Sequence, residues 1–208
     1  MMQAPQADQV AGLSAQFDDL DVSRETRERL LIYVDLLCKW QPKINLISNA
    51  TLPDIWQRHI IDSLQLLTLL PAETLRIMDI GTGAGLPGVI LALASDHEVH
   101  LVESDQRKCA FLRTALRETG RQAVIHNQRI ETCPDLGCDL ITARALASVE
   151  DLLRLTRPQH RSGLRCLFLK GRNLTSELTI LSDWPTVDWH CHASLTDNEA
   201  QILDLRFQ

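Results

Sequence analysis

The stretch Asp79-Ile80-Gly81-Thr82-Gly83-Ala84-Gly85-Leu86-Pro87-Gly88 begins inside a short apolar run, IMDI (77–80), and opens into VILALA (89–94), whose apolar spacing is helical. Glycines between a strand and a helix let the chain turn tightly and let its backbone approach a ligand with no Cβ in the way. Reading outward, further apolar runs follow at VHLVES (99–104), AVIHNQ (123–128), CDLITAR (138–144) and LRCLFLKG (164–171). Helical patterns lie between them over 88–94, 106–119 and 148–155, with a further helix around 175–181. Strands alternating with helices predict a doubly wound α/β fold with a mostly parallel sheet. The last two runs, VDWHCHASL (187–195) and AQILDLRF (200–207), have no helix between them and predict an antiparallel hairpin at the sheet edge, giving seven strands.

In such a sheet ligands sit beyond the carboxyl ends of the strands. Glu103 ends the second strand, 22 residues after Gly81, where a carboxylate can accept hydrogen bonds from both hydroxyls of a ribose. That suits any adenosine cofactor. Gly83-x-Gly85-x-x-Gly88 formally matches a dinucleotide fingerprint, but the loop also reads D-x-G-x-G-x-G from Asp79. A carboxylate at Asp79 suits the ammonium and sulfonium of S-adenosylmethionine and repels a pyrophosphate, and the loop holds no basic residue. The residues therefore favour S-adenosylmethionine over a dinucleotide.

Ahead of the loop, Ser23 is placed to cap a helix carrying Leu30, Val34 and Leu37, which Pro42 closes. Thr51 and Pro53 open a second helix with Ile55, Trp56, Ile60, Leu64 and Leu67 on one side, ended by Pro71. The expected organisation is an N-terminal helical extension over residues 1–72, polar at its start, joined to a cofactor-binding domain over 73–208 as one unit. The chain has 208 residues, 45% of them hydrophobic, and a net charge of −6. That balance argues against a general nucleic-acid binder. The charge is uneven, however: residues 144–172 carry seven basic and two acidic side chains, and residues 173–208 one basic and six acidic. The basic stretch reads either as a solvated face or as a local contact with phosphate, and the acidic end is expected to face away from phosphate. No apolar run approaches ~20 residues, and the start of the chain lacks a basic region followed by an apolar one, so a cytoplasmic protein off the membrane is expected. The six cysteines form no C-x-x-C pair and are expected to be reduced and mostly buried, with no metal.

Several further segments, collinear over residues 30–171, resemble one family. KINLIS (43–48), RHIIDS (58–63), DIGTGAGLPG (79–88), LVES (101–104), RIE (129–131), ITARA (141–145) and LKG (169–171) are similar to the bacterial ribosomal RNA small subunit methyltransferase G, or glucose-inhibited division protein B, family. The resemblance implies a class I, Rossmann-like methyltransferase fold with an N-terminal helical cap. It implies S-adenosylmethionine as cofactor and transfer of a methyl group to N7 of a guanosine, position 527 in the 530 loop of 16S ribosomal RNA. It places cofactor contacts at Gly81, Leu86, Ile130, Glu131 and Arg144, beside Asp79, Gly83, Gly85 and Glu103 of the loop and its neighbour strand. Members carry a basic segment in the last strand, whereas DNEAQILDLRFQ (197–208) has Arg206 as its only base.

Guanine N7 carries a lone pair, so no proton has to be removed before it attacks, and the site needs no general base. No residue is assigned as catalytic. Candidates for positioning the substrate are Asn45, His59, Asp62, Arg129 and Lys170. Each has a plainer reading. Arg58 and Asp62, at i and i+4, could form a surface ion pair worth ~0.3–0.5 kcal/mol. His59 could be a packing histidine, and Asn45 an Asx-type turn between helices rather than a group at the guanine edge. Arg129 and Arg144 could pair with Glu131 or Asp139 instead of serving phosphate or cofactor. The bases at 154, 157, 161, 165 and 172 could be solvated. The preferred substrate would be a small-subunit particle and the enzyme a monomer. The rival functions are a nicotinamide-dependent oxidoreductase and a non-catalytic RNA-binding factor that keeps the fold.

Overall fold

The computed structural model describes residues 12–208; the polar start expected at the head of the chain falls on residues 1–11, outside the described residues. Helix α1 (Ser14–Asp19) leads into α2 (Arg24–Trp40), whose first turn is capped by Ser23 accepting from the Thr26 amide. Residues 56–69, called α3, are helical throughout but irregular: a π-helical stretch (Trp56–Ile61), one α-turn (Asp62–Leu64) and a 3-10 stretch (Gln65–Leu69). Then strands and helices alternate: β1 (Arg76–Ile80), α4 (Gly88–Ala94), β2 (Glu98–Val102), α5 (Gln106–Thr119), β3 (Val124–His126), β4 (Leu140–Arg144), α6 (Val149–Thr156) and β5 (Arg165–Lys170). A short helix α7 (Leu174–Glu177) with a 3-10 continuation precedes β6 (Val187–Ala193) and β7 (Gln201–Phe207).

The seven strands are ordered β3-β2-β1-β4-β5-β7-β6. The first five are parallel, and β7 enters antiparallel between β5 and the edge strand β6. The hairpin expected at the sheet edge is therefore present. Strand order reverses between β1 and β4, so their connections leave on opposite sides and open a crevice at the carboxyl ends of Ile80 and Arg144.

Alternate strand residues feed two cores, as the two-residue period of a strand requires. Ile77, Leu101, Leu140 and Leu167 pack with α2, α3, α4 and α5 on one face. Met78, Ile80, Ile141 and Phe168 pack with α6 and α7 on the other. Each fully buried leucine contributes on the order of 2 kcal/mol. The helical extension is thus part of one face of the sheet. Tyr33 and Trp40 of α2 lie 6.0 and 5.8 Å, centroid to centroid, from Phe111 of α5. The Tyr33 hydroxyl donates to the Ala84 carbonyl at 2.7 Å, joining the extension to the glycine-rich loop. Five of the six cysteines are buried and none is bonded to another. Among the described residues no helix is long and apolar enough to cross a membrane, and no cluster of three or more His, Cys, Asp or Glu could hold a metal ion.

Candidate functional site

A cavity of about 470 Å³ lies at the strand-order reversal, a size ordinary for a small-molecule site. One wall is the glycine-rich loop, through Gly81, Thr82, Gly83, Ala84 and Leu86. A second is α3 and the segment before it, through Leu46, Ile47, Ser48, Thr51, Arg58, His59, Asp62 and Gln65. The floor is the ends of β4 and β5, with Arg144, Leu169 and Lys170, and the far wall is the β6–β7 turn, with Ser194, Thr196 and Asp197.

Asp79 stands elsewhere than the sequence predicts. Its carboxylate has no exposed surface and does not line the cavity. One oxygen accepts from the Gly88 amide at 3.0 Å and from the Thr82 hydroxyl, the other from the Thr142 hydroxyl at 2.8 Å. Asp79 is a brace behind the loop rather than a face toward an ammonium group. Burial pushes its pKa up to about 6 against the pull of these three donors. The dinucleotide reading still fails, for a different reason: the amide at the start of α4 that a pyrophosphate would use is already taken by a carboxylate. Gly85 is also structural. Its φ is +90°, and a Cβ there would meet Val89 at 2.3 Å. Gly83, with φ +58°, has nothing nearer to its Cβ position than the Gly81 carbonyl at 3.8 Å, so backbone is open to a ligand there.

Glu103 is buried at the end of β2, with one oxygen accepting from the Gly83 amide at 2.9 Å and the other from the Asp105 amide at 2.8 Å. Each oxygen keeps a lone pair for a further donor. The open Gly83 backbone beside a fixed carboxylate fits an adenosine cofactor with a ribose at Glu103 and no phosphate on the loop.

The α3 wall is a polar network. Arg144 donates to the Arg58 carbonyl at 3.0 Å and to His59 Nδ1 at 2.8 Å, and lies 3.5 Å from Asp62. The other nitrogen of His59, Nε2, lies 2.8 Å from the Thr51 hydroxyl, which donates to the Ser48 carbonyl at 2.8 Å. Burial first, then Arg144 and Arg58, hold the His59 pKa down at about 3. Asp62 accepts from Gln65 at 2.8 Å and from Thr196 at 2.9 Å, and burial raises its pKa against Arg144. The Arg58–Asp62 pair that i, i+4 spacing allowed as the plainer reading does not form. Arg58 bonds Asp197 at 3.0 Å instead, because the segment winds as a π-helix and loses the α-helical i, i+4 register on which that pair depends. Arg144 pairs with neither Glu131 nor Asp139; Asp139 faces Arg161 at 3.5 Å.

Other expected residues fall outside the cavity. β3 ends at His126, so Arg129, Ile130 and Glu131 lie in the turn beyond it, Ile130 buried and its two neighbours exposed. Asn45 is exposed and only 3.4 Å from Gln41. Lys170 does line the cavity, but its ammonium is spent on the Ala147 carbonyl and Glu177, both at 2.7 Å, holding the β4–α6 loop. Arg165 is not solvated: it forms a two-pronged pair with buried Asp204 at 2.9 and 2.8 Å. The β6–β7 turn of the acidic C-terminal segment forms the far wall. That turn is anchored by Gln65, which accepts from the Leu195 amide at 2.8 Å. Sequence reading also missed Gln41. Buried beside Pro42, it accepts from the Leu46 and Ile47 amides and donates to Ile47 and Asn49, which shapes the KINLIS segment.

A family model described as rRNA small subunit methyltransferase G (GidB) matches residues 26–202. The chain is 48% identical over 189 residues to the ribosomal RNA small subunit methyltransferase G of Paramagnetospirillum magneticum (strain ATCC 700264 / AMB-1), covering 89% of this chain and 90% of that one. It is 43% identical over 203 residues to the protein of the same name from Rhodopseudomonas palustris (strain BisB5), covering 94% and 86%. Among solved structures, MtNAS in complex with S-adenosylmethionine has a TM-score of 0.61 at 16% identity over 92% of this chain and 82% of that one. The ribosomal protein L11 methylase of Lactobacillus delbrueckii subsp. bulgaricus has a TM-score of 0.58 at 15% identity over 73% and 79%. The structures speak for the class I, Rossmann-like methyltransferase fold, and the relatives for more: this chain belongs to the rRNA small subunit methyltransferase G (GidB) family.

Proposed function

We propose that this chain methylates N7 of a guanosine in 16S ribosomal RNA, position 527 of the 530 loop, using S-adenosylmethionine. What carries the reading is that the glycine-rich loop and the family's 58–63 segment meet across one cavity, with Arg144 between them. S-adenosylmethionine, when bound, supplies a methyl group made electrophilic by its sulfonium. Gly81, Gly83 and Leu86 present backbone and an apolar side chain to it, Glu103 accepts from its ribose, and Ile130 and Glu131 border its adenine. Asp79 and Gly85 act from behind, by holding the loop. Arg144 closes the site from the strand side.

Asp62 and the network around it position the guanosine, with Asn45 and Arg129 nearer the rim and Lys170 acting through the loop it holds. The guanine lone pair needs no base, and a histidine held neutral between two arginines offers none. The main work left to the chain is placing N7 roughly 3–3.5 Å from the methyl, in line with sulfur. Residues 1–72 act as a cap on the methyltransferase domain, 73–208, as one unit. With a net charge of −6, the preferred substrate is a small-subunit particle in the cytoplasm rather than free RNA, met by a monomer.

Nucleoside mass spectrometry of 16S RNA from cells with and without this gene tests the reading. Loss of one 7-methylguanosine on deletion is expected, restored in vitro faster on particles than on naked RNA. An unchanged count would remove the substrate assignment while leaving the family intact.

A further inference from the structure

We propose that His59 is a positioning residue: as the neutral tautomer protonated on Nε2, it fixes the Arg144 guanidinium at the cavity wall and ties it to the Ser48–Thr51 segment. The proposal rests on the reading that this cavity is the methyl-transfer site.

The tautomer follows from hydrogen-bond direction. A guanidinium has donors only, so the nitrogen that faces Arg144 at 2.8 Å, Nδ1, has to be the acceptor and carries no proton. The ring proton is then on Nε2, 2.8 Å from Thr51 Oγ1. Thr51 has one proton to give and it goes to the Ser48 carbonyl. Arg144, His59, Thr51 and Ser48 thus form a chain in which every donor meets an acceptor and no proton is used twice. An imidazolium would set N–H against N–H at Arg144, in a site where His59 is 7% exposed and Arg58 adds a second positive charge. His59 is therefore no acid or base for the reaction, and its chemistry reduces to geometry.

That geometry matters because Arg144 is held from the α3 side at two nitrogens. Nη2 meets His59, and Nη1 meets the Arg58 carbonyl. Both partners lie in the π-helical stretch, whose wider turn brings a backbone carbonyl and the next side chain to one guanidinium. Nη1 also reaches Asp62 at 3.5 Å, which leaves Nε–H and the second Nη2–H of Arg144, itself a cavity-lining residue, without a partner among the described residues. The chain also links that contact to Ser48 and Thr51, which line the same cavity from the extension. Cap and sheet are thus joined at the site through one ring.

The ring's two nitrogens can be tested separately. His59→Asn places a carbonyl oxygen near the position of Nδ1 and keeps an acceptor for Arg144, losing the Thr51 bond. His59→Gln places its amide near Nε2 and keeps the Thr51 bond, losing the Arg144 acceptor. His59→Leu loses both. Single-turnover methyl transfer on small-subunit particles is expected to slow by about 100-fold in the Gln and Leu variants, the scale of a misplaced contact, and by less than about tenfold in the Asn variant. Equal losses in Asn and Gln, or a Leu variant as fast as the parent, would overturn the proposal. In parallel, ¹⁵N NMR of histidine-labelled parent protein, with His59 assigned by its loss in the Gln variant, reads the tautomer without any activity. A neutral ring with its proton on Nε2 at pH 5.5 is expected. A charged ring or an Nδ1 proton overturns the proposal even if methylation proceeds. A protein with the expected tautomer and no methyl transfer on any substrate would instead remove the functional reading beneath it.

Discussion

Asp79 carries an ionisable group into a fully buried place and gives it three donors. Removing the carboxyl strands the Gly88 amide and the Thr82 and Thr142 hydroxyls, each unsatisfied donor costing on the order of 1–3 kcal/mol before the groups relax. Asp79→Ala is therefore expected to lower stability by about 3 kcal/mol in urea unfolding. Asp79→Asn is expected to cost less than ~1 kcal/mol, because it keeps one acceptor and sheds a buried charge. If Asp79 works only by bracing the loop, the Asn variant binds adenosylhomocysteine within a fewfold of the parent, measured by calorimetry. A folded Asn variant with binding abolished would return Asp79 to the ligand's first contacts. At this scale the residue type and spacing of Asp79 were legible, but its direction was not. A carboxylate two residues before a glycine can face inward or outward, and of the donors that hold it inward two, Thr82 and Gly88, are local while Thr142 is 63 residues away.

Among the elements, α3 shows how far periodicity reaches. Ile55, Trp56, Ile60 and Leu64 are buried as expected, but Leu66 is buried in place of Leu67, and the π-helical stretch Trp56–Ile61 rotates Arg58 and His59 out of α-helical register. Nothing in local spacing announces this. A π-turn trades regular backbone bonds for the contacts that its side chains make across the cavity. The far end of α3 is tied down by Arg165, which donates to the Leu69 carbonyl at 2.6 Å and forks onto Asp204 of β7. Burial opposes the charge on Asp204, but Arg165 holds its pKa below the ordinary carboxylate range. Arg165→Ala leaves that carboxylate, among the described residues, with His192 and Arg206 as its remaining cationic neighbours and is expected to cost about 3–5 kcal/mol. The paired change Arg165→Met with Asp204→Leu removes both charges and is expected to recover most of the loss. Chemical denaturation of the single and paired variants checks this, and a paired variant no better than the single one would contradict it.

The whole molecule's response to pH follows from groups whose ionisation differs between folded and unfolded chains. Burial and neighbouring arginines hold His59 at about 3 and His160 at about 4, against 6.5 for a free histidine. Both stay neutral in the folded protein while the unfolded chain takes up protons, so stability is lost as pH falls from 6.5 toward 4. Asp79 acts the other way. Raised from 3.8 to about 6, its contribution is fully present below 3.8 and is lost as pH rises through 6. Burial also lowers His97 and His126 and raises Asp62, so four histidines oppose two carboxyls, and the melting temperature is expected to be level above pH 6.5 and to fall on acidification toward pH 4.5. Replacing His160 with Gln, which can keep a partner for Thr156, should make that fall shallower. Scanning fluorimetry across pH 4.5–8 reads both slopes, and a parent melting temperature that rises on acidification would reverse the sign.

Strand runs, helix caps, the glycine-rich loop and Glu103 were determined by the sequence alone. They depend on neighbours within a few residues, where propensity, alternation and capping act directly, as with Ser23 on α2 and Gly83 on its open turn. The tertiary structure alone decided which of the marked residues meet. His59 and Arg144 are 85 residues apart, and Arg58 and Asp197 are 139. Arg129 and Asn45, marked by the same motifs, are exposed and lie outside the cavity lining. A hydrogen bond between distant residues is set by the packing of α3 against β4 and the β6–β7 turn. That packing depends on shape and burial summed over the whole core, which no local pattern of residues contains.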